Sequence, residues 1–80
     1  MKFTEVKSST VRAIAYESNV LYVEFRSGGV YKFDNISNMQ YLNFLNAKSK
    51  GKHFAETIKK FSEKHPAVKL TKEEAANIKL

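Results

Sequence analysis

Residues 49–54, SKGKHF, bring together residue types that bind phosphate in proteins. A glycine lets the backbone approach an anion closely, and the free amides at the start of a helix attract negative charge. If a helix begins near Lys52, a phosphate at its start would meet backbone N–H groups and up to three positive side chains. The alternative is that Ser49 caps this helix and Gly51 takes a positive φ where two helices meet, with the lysines solvated. The two interpretations are compatible.

The positive charge of the chain is concentrated in its second part. The net charge is +6 at pH 7; residues 48–80 hold nine lysines and four glutamates, whereas residues 1–47 hold five basic and four acidic side chains. Such asymmetry attracts polyanions, because phosphates neutralised by lysine or arginine release their condensed counterions. Composition therefore favours nucleic acid as a partner.

The lysines differ in how many acidic residues lie near them in the sequence. Glu56 precedes Lys60 by four residues and Glu63 follows Lys59 by four, so much of this charge is paired along one predicted helix. The lysines with fewer acidic neighbours are the better candidates for phosphate contacts. The predicted nucleic-acid-binding residues are Lys48, Ser49, Lys50, Gly51, Lys52, His53, Lys69 and Lys72.

The four tyrosines are a second candidate feature, because sheet-based RNA-binding domains stack bases on exposed aromatic side chains. Only Tyr22 is predicted to be exposed, on the strand face that also carries Glu24 and Arg26. Tyr31 and Phe33 fall on the apolar face of their strand. As a set, the tyrosines are therefore predicted to pack in the core.

Catalytic and metal-binding chemistry has little support in the sequence. His53 and His65 lie at opposite ends of a predicted helix, roughly 18 Å apart along its axis, which is too far to share one metal ion. The acidic residues are scattered, there is no paired-carboxylate or phosphate-loop motif, and cysteine is absent. The sequence predicts a protein that is not an enzyme and that uses no metal or small-molecule cofactor.

No apolar run approaches the roughly 18 residues that a membrane span requires. The first twenty residues also carry Glu5, Arg12 and Glu17, where a signal peptide would need an unbroken apolar stretch. Together with the absence of cysteine, this predicts a soluble, cytoplasmic protein with no membrane partner. The length of 80 residues predicts one small domain.

Three segments in the first part of the chain have the pattern of strands. Residues 10–16 and 20–25 are rich in β-branched and aromatic side chains, and the Glu17–Asn19 segment between them is typical of a turn. After Gly28 and Gly29 the alternation resumes in residues 30–33. These segments predict a three-stranded antiparallel meander.

The period then changes from two to about 3.6. Apolar side chains gather on one side of a helix over residues 38–47, with Ser37 as its N-cap, and again from His53 to Lys64. His65–Pro66 ends the second helix. A capping box at Thr71 predicts a short terminal helix over residues 72–79. The predicted fold is α+β: a three-stranded antiparallel β-meander followed by two packed helices and a short C-terminal helix. The predicted core residues, which fall on the buried faces of different elements, are Phe25, Tyr31, Phe44, Phe54 and Ile58.

The order of these residues is more specific than any one of them. The most distinctive run is Ala-x-Ser-x-Gly-x-x-Phe, from Ala47 to Phe54. The wider pattern is Val6-x-Ser8-Ser9-x-Val11, Ile14-x-Tyr16, Leu21-x-Val23-x-Phe25, Gly28, Tyr31-x-Phe33, Ile36, Tyr41 and Ile58. Over about residues 5–60 the sequence resembles the KTSC domain, a small family named for its occurrence at the C-terminus of some lysyl-tRNA synthetases. The resemblance implies a KTSC-like domain over residues 1–66 and a C-terminal extension over residues 67–80.

The resemblance carries no established activity to individual residues, although the link to a synthetase hints at RNA. The resulting hypothesis is a small nucleic-acid-binding module, RNA-directed, that grips phosphates through the basic loop at residues 48–53. The alternative is a protein-interaction adaptor or host-factor inhibitor that binds no nucleic acid. Clustered lysines at one helix start would favour the first function, and an exposed aromatic patch around Tyr22 with little basic surface would favour the second.

Overall fold

The computed structural model of the protein describes residues 2–56 and 67–78. In chain order the elements are β1 (Thr4–Glu5), β2 (Val11–Glu17), β3 (Val20–Phe25), β4 (Val30–Phe33), α1 (Asn38–Asn46), α2 (Lys50–Phe54), β5 (Ala67–Lys69) and α3 (Lys72–Ile78). Several sequence predictions lie outside the described residues: the second helix beyond residue 56, Ile58 in the core, the charges of Lys59, Lys60, Glu63 and Lys64, and the helix stop at His65–Pro66.

The strands form one antiparallel sheet in the order β1-β2-β3-β4-β5. The α+β class and the meander of β2, β3 and β4 are as predicted, but the prediction of only three strands is wrong. The two further strands are β1 and β5, which have two and three residues, all exposed. Segments this short and exposed show no alternation of apolar and polar side chains, so periodicity could not reveal them.

Both tight turns of the meander use left-handed backbone. Ser18 and Asn19 join β2 to β3 with φ of 51° and 63°, and Gly28 and Gly29 precede β4 with φ of 100° and 87°. Hairpins favour such turns because their twist matches that of the flanking strands. The turns set the register that aligns Leu21 with Phe33.

The core lies between one face of the sheet and the first two helices. Ile14, Leu21 and Val23 are fully buried on that face, and they pack in one cluster with Phe44 of α1 and Phe54 of α2. Phe44 and Phe54 were both predicted to be core. The other predicted core residues of the meander, Phe25 and Tyr31, are half-buried and pack against this cluster.

The start of α1 is fixed to the turn between β2 and β3. The Ile36 N–H donates to the Asn19 carbonyl (3.0 Å), and the Tyr16 hydroxyl donates to the Ile36 carbonyl (2.6 Å). The rings of Tyr16 and Tyr41 stack with centroids 4.6 Å apart and planes 7° apart. Through these contacts α1 starts at the end of the sheet that carries Glu17, and runs back across its face.

The solvent exposure of the tyrosines differs from the prediction at one position, Tyr22. Tyr22 is half-buried, as are the other three, so the prediction that it alone is exposed is wrong. Its ring lies edge-on to that of Phe3, with centroids 6.5 Å apart. This contact arises because the chain before β1 runs beside β2, an arrangement that the three-strand prediction lacked. None of the helices in residues 2–56 and 67–78 is long and apolar enough to cross a membrane.

Candidate nucleic-acid interface

The segment from Ser49 to Phe54 begins the helix α2. Ser49 has extended backbone, and its Oγ accepts from the Lys52 N–H at 3.4 Å, which makes it the N-cap. The predicted start of this helix was near Lys52, whereas α2 begins at Lys50. Phe54 anchors the segment, since its ring lies edge-on to Phe33 with centroids 5.1 Å apart.

Lys50 has a structural contact. Its Nζ donates to the Ala47 carbonyl at 3.0 Å, and the side chain is half-buried. Ala47 is the C-cap of α1, so the ammonium group satisfies a carbonyl at the negative end of that helix. Lys50 therefore contributes charge to the interface while its ammonium is held against the protein.

Gly51 does not have the positive φ that the sequence predicted. It lies inside α2, and the glycines with positive φ in the described residues are Gly28 and Gly29. The reason for glycine at position 51 is a close approach. A Cβ added there would lie 2.8 Å from Oγ1 and 3.1 Å from Cβ of Thr10, closer than such atoms normally pack. Gly51 thus lets α2 lie directly against the loop before β2.

The other basic residues of the predicted loop differ in their exposure to solvent. Lys48 and Lys52 are exposed. His53 is half-buried, and its ring lies against that of Phe44 with centroids 6.0 Å apart. Of the predicted basic residues in this segment, Lys48 and Lys52 are therefore the two whose side chains are available to a phosphate in solvent.

Sequence reasoning missed a second segment at this site, the loop of Ser8 to Thr10. The Ser8 Oγ accepts from the Thr10 and Val11 N–H groups, each at 3.1 Å. Arg26 holds the loop from the other side: its Nε donates to the Ser8 carbonyl, and its backbone N–H donates to the Thr10 carbonyl at 2.9 Å. Since Thr10 also touches Gly51, this loop connects Arg26 to the start of α2. The signal in the sequence was Arg26 itself, which the pattern had placed on the strand face of Tyr22 and Glu24 and not among the phosphate contacts.

Lys69 lies at the same end of the sheet as Arg26, on the edge strand β5. It is the register partner of Tyr31 in the pairing of β5 with β4. A Cβ added to Gly29 would lie 3.5 Å from the Lys69 Cε, so the Lys69 side chain extends over Gly29. The start of β2, the end of β3, the start of β4 and the end of β5 share this end, because neighbouring strands are antiparallel. We call it the basic end. Its members are Arg26, Lys48, Lys50, Lys52, Lys69 and Lys72.

Lys72 adds less to the basic end than the other members. It opens α3, whose first turn also holds Glu73 and Glu74. The Thr71 backbone N–H donates to the Glu74 carboxylate at 3.0 Å. This hydrogen bond lowers the pKa of Glu74 below its usual range, and the Thr71 hydroxyl and nearby Lys32 lower it further. The start of α3 is thus already occupied by a carboxylate of the chain itself.

The opposite end of the sheet carries acidic residues. Glu17 ends β2 beside its turn, and Asp34 follows β4 at the same end. Within residues 2–56 and 67–78, no group of three or more His, Cys, Asp or Glu side chains is arranged to hold a metal ion. Glu5, at the end of β1, and Glu24, in register with Val30, also lie toward the basic end, where basic residues outnumber them. The geometry therefore offers binding of anions at this end of the sheet.

Comparisons with known proteins agree with this architecture. The chain is 34% identical over 61 residues to an uncharacterised protein of Stutzerimonas stutzeri, an alignment that covers 74% of this chain and 86% of the relative. It superposes on the crystal structure of a KTSC domain protein from Yersinia pestis with a TM-score of 0.79 and 30% identity, covering 88% of this chain and 97% of that one. A family profile, the KTSC domain, matches residues 7–61. The chain belongs to the KTSC domain family.

Proposed function

We propose that this protein is a small nucleic-acid-binding module, RNA-directed, that contacts phosphates with its basic end. One observation carries the proposal. Four separate segments (the turn at Arg26, residues 48–52, the end of β5 and the start of α3) carry basic residues at one end of the sheet. The sequence alone showed only that lysines are frequent after residue 47.

The exposed lysines Lys48, Lys52 and Lys69 are the proposed phosphate contacts. Long, mobile ammonium groups suit a phosphate backbone whose sequence is not read, because each acts as a point charge. Lys50 and Arg26 support the surface while bound to carbonyls of Ala47 and Ser8. The role is one of binding rather than catalysis, and a cytoplasmic setting is part of the proposal, since the sequence lacks cysteine.

The test is a titration of labelled single-stranded RNA, duplex RNA and duplex DNA at several salt concentrations. Binding through phosphates should weaken steeply with salt, and the log–log slope reports the number of phosphates neutralised. Lys52→Gln should lower that slope by about one unit. Lys2→Gln removes the same charge at an exposed lysine that precedes β1 and is not a member of the basic end, and it should leave the slope unchanged.

Two results would contradict the proposal. One is the absence of binding to any polyanion at low salt. The other is an equal effect of Lys52→Gln and Lys2→Gln, because binding would then depend on net charge and not on the basic end.

A protein-interaction role is the second candidate, favoured by the outer surface of α1. This helix has no charged residue, and it exposes 72% of Met39 and 44% of Leu42 one turn apart. An exposed apolar patch in a chain this rich in charge suits a protein partner. Leu42→Lys should abolish capture of such a partner while leaving salt-dependent RNA binding intact, which separates the two roles.

A further inference from the structure

A pocket of about 500 Å³ lies on the helix-covered face of the sheet, next to the basic end. Its wall is aromatic and consists of Phe25, Tyr31, Phe33 and Phe54, with the hydroxyl side chains of Thr10 and Ser27 among the other lining residues. Pockets that bind small organic ligands have volumes of roughly 300 to 1,000 Å³ and mostly apolar walls with a few polar groups. This pocket fits that description.

The aromatic wall is rigid and partly accessible. Phe25 lies edge-on to Tyr31 with centroids 5.6 Å apart, and edge-on to Phe54 with centroids 5.5 Å apart. Phe54 is buried, but Phe25 and Tyr31 are only half-buried. Each edge-to-face contact uses the edge of one ring and the face of the other, so a further flat ring can contact only the ring surface of Phe25 and Tyr31 that remains accessible. The wall is therefore suited to an aromatic group.

Basic residues outnumber acidic ones beside the pocket, although Asp34 and Glu56 follow the lining residues Phe33 and Ala55. All of its lining residues lie in the described ranges, and none of them is acidic. Arg26 lies between the lining residues Phe25 and Ser27, Lys52 follows the lining residue Gly51, and Lys69 pairs with Tyr31. Glu24 lies on the opposite face of the sheet, in register with Val30. An aromatic ligand that carries a negative charge is the best chemical match for an aromatic wall with a basic rim.

We propose that this pocket receives an unpaired base of a nucleic-acid strand, whose phosphates lie on the basic end. The inference rests on the proposed function and makes it more specific. A base in a duplex must first be unpaired and unstacked before it can enter a pocket on the protein, whereas a base in a single strand needs no unpairing. The pocket thus selects single strands over duplexes, and Tyr31 supplies the stacking surface.

The experiment compares a labelled single-stranded RNA of eight nucleotides, its duplex, and a free nucleoside monophosphate. Tyr31→Leu removes the aromatic ring and its hydroxyl but keeps a shorter apolar side chain. Tyr41→Leu is the matched control, because Tyr41 is also a half-buried tyrosine but stacks on Tyr16 at the other end of the sheet. Ser27→Trp is a second variant, at an exposed position, that places a large ring in the mouth of the pocket.

The wild-type protein should bind the single strand at least tenfold more tightly than the duplex. Tyr31→Leu should weaken binding of the single strand about tenfold, the effect of losing one stacked base, and should leave duplex binding unchanged. Ser27→Trp should act in the same direction, and Tyr41→Leu should have no effect. In NMR spectra, the bound base should shift the amide signals of Gly28 and Gly51, which line the pocket.

Equal, salt-dependent binding of single strand and duplex, insensitive to Tyr31→Leu and Ser27→Trp, would overturn the inference and leave the proposed function standing. Binding of the free nucleotide but of no strand would overturn the assignment to a strand and identify a nucleotide as the ligand. If no strand and no nucleotide binds, both the inference and the proposed function are wrong.

Discussion

The helices α1 and α2 begin with the same residue type and in different ways. Each has a serine N-cap with extended backbone. At the start of α1 the capping is reciprocal: the Gln40 N–H donates to Ser37 Oγ at 3.2 Å, and the Ser37 N–H donates to the Gln40 side chain at 2.8 Å. At the start of α2 the equivalent third position is Lys52, whose ammonium has no acceptor to offer the Ser49 N–H.

The first turn of α2 is also basic, although the positive end of a helix disfavours cations. The helix α3 follows the pattern of α1, because Thr71 and Glu74 form a reciprocal pair. Of the three described helices, α2 alone thus begins with a cap that no side chain of its first turn returns. What holds it is tertiary packing, through Phe54 and through the contact of Gly51 with Thr10. Under the proposed function, the positive charge at this helix start serves to bind phosphate.

The largest expected effect concerns that packing. Phe54→Ala should lower the free energy of unfolding by about 3 to 5 kcal/mol, because it removes a buried ring that touches Phe25, Phe33 and Phe44. In a domain of this size such a loss approaches the whole stability. Chemical denaturation measures it, and Leu42→Ala on the outer surface of α1 is the control, with an expected change within about 0.5 kcal/mol. A Phe54→Ala midpoint equal to wild type would contradict the dependence of α2 on packing.

The second effect concerns Gly51. Alanine is intrinsically better than glycine inside a helix by about 1 kcal/mol, but its methyl group would meet Thr10 Oγ1 at 2.8 Å. Overpacking of this kind typically costs about 1 to 3 kcal/mol, so Gly51→Ala should destabilise the domain on balance. Thr10→Ala in the same chain should restore part of the loss by removing Oγ1. A more stable Gly51→Ala variant would mean that α2 does not press on this loop.

The sequence predicted the parts of the fold that carry a regular pattern. Alternation identified β2, β3 and β4, and a serine followed by an apolar stripe identified α1. It missed β1 and β5, since strands of two and three residues exist only through pairing with a neighbour. Gly51 was correctly singled out, but for the wrong reason. A glycine required by a close contact looks the same in the sequence as one required by positive φ.

The sequence could predict only those residues of the candidate site that are neighbours along the chain. The lysines of residues 48–52 were apparent from charge and spacing, whereas the arrival of Arg26 at the same place depends on hydrogen bonds to Ser8 and Thr10. The fixed position of Lys50 depends on a carbonyl of the preceding helix. Contacts between distant segments follow from the topology, which local patterns do not contain.

The third effect compares the two serine caps directly. Ser37→Ala should cost about 1 kcal/mol, because it breaks a reciprocal pair. Ser49→Ala should cost about half of that, because its hydrogen bond to the Lys52 N–H is long at 3.4 Å and is not returned by a side chain. Thermal or chemical unfolding of the two variants side by side measures the difference. A larger loss for Ser49→Ala would show that α2 depends on its cap.

The smallest expected change in stability is that of Lys52→Glu, a variant whose effects on stability and on RNA binding should have opposite signs. Lys52→Glu places a carboxylate where α1 has Gln40 and α3 has Glu74, so it should complete the capping box and favour the helix dipole. We expect a gain of about 0.5 kcal/mol in the free energy of unfolding. The reciprocal change in α1, Gln40→Lys, should lose a similar amount.

RNA binding should respond to these two variants in the opposite sense to their effects on helix stability. Lys52→Glu should weaken binding and lower the salt slope by about one unit, since it removes one phosphate contact and adds a repulsive charge. Gln40→Lys adds a positive charge at the other end of the sheet and should not alter the slope. A variant that is more stable but binds less well is the expected result if the basic start of α2 is kept for a ligand. If Lys52→Glu is more stable and binds RNA as well as wild type, the charge at this helix start has no role in binding, and the difference between α1 and α2 concerns folding alone.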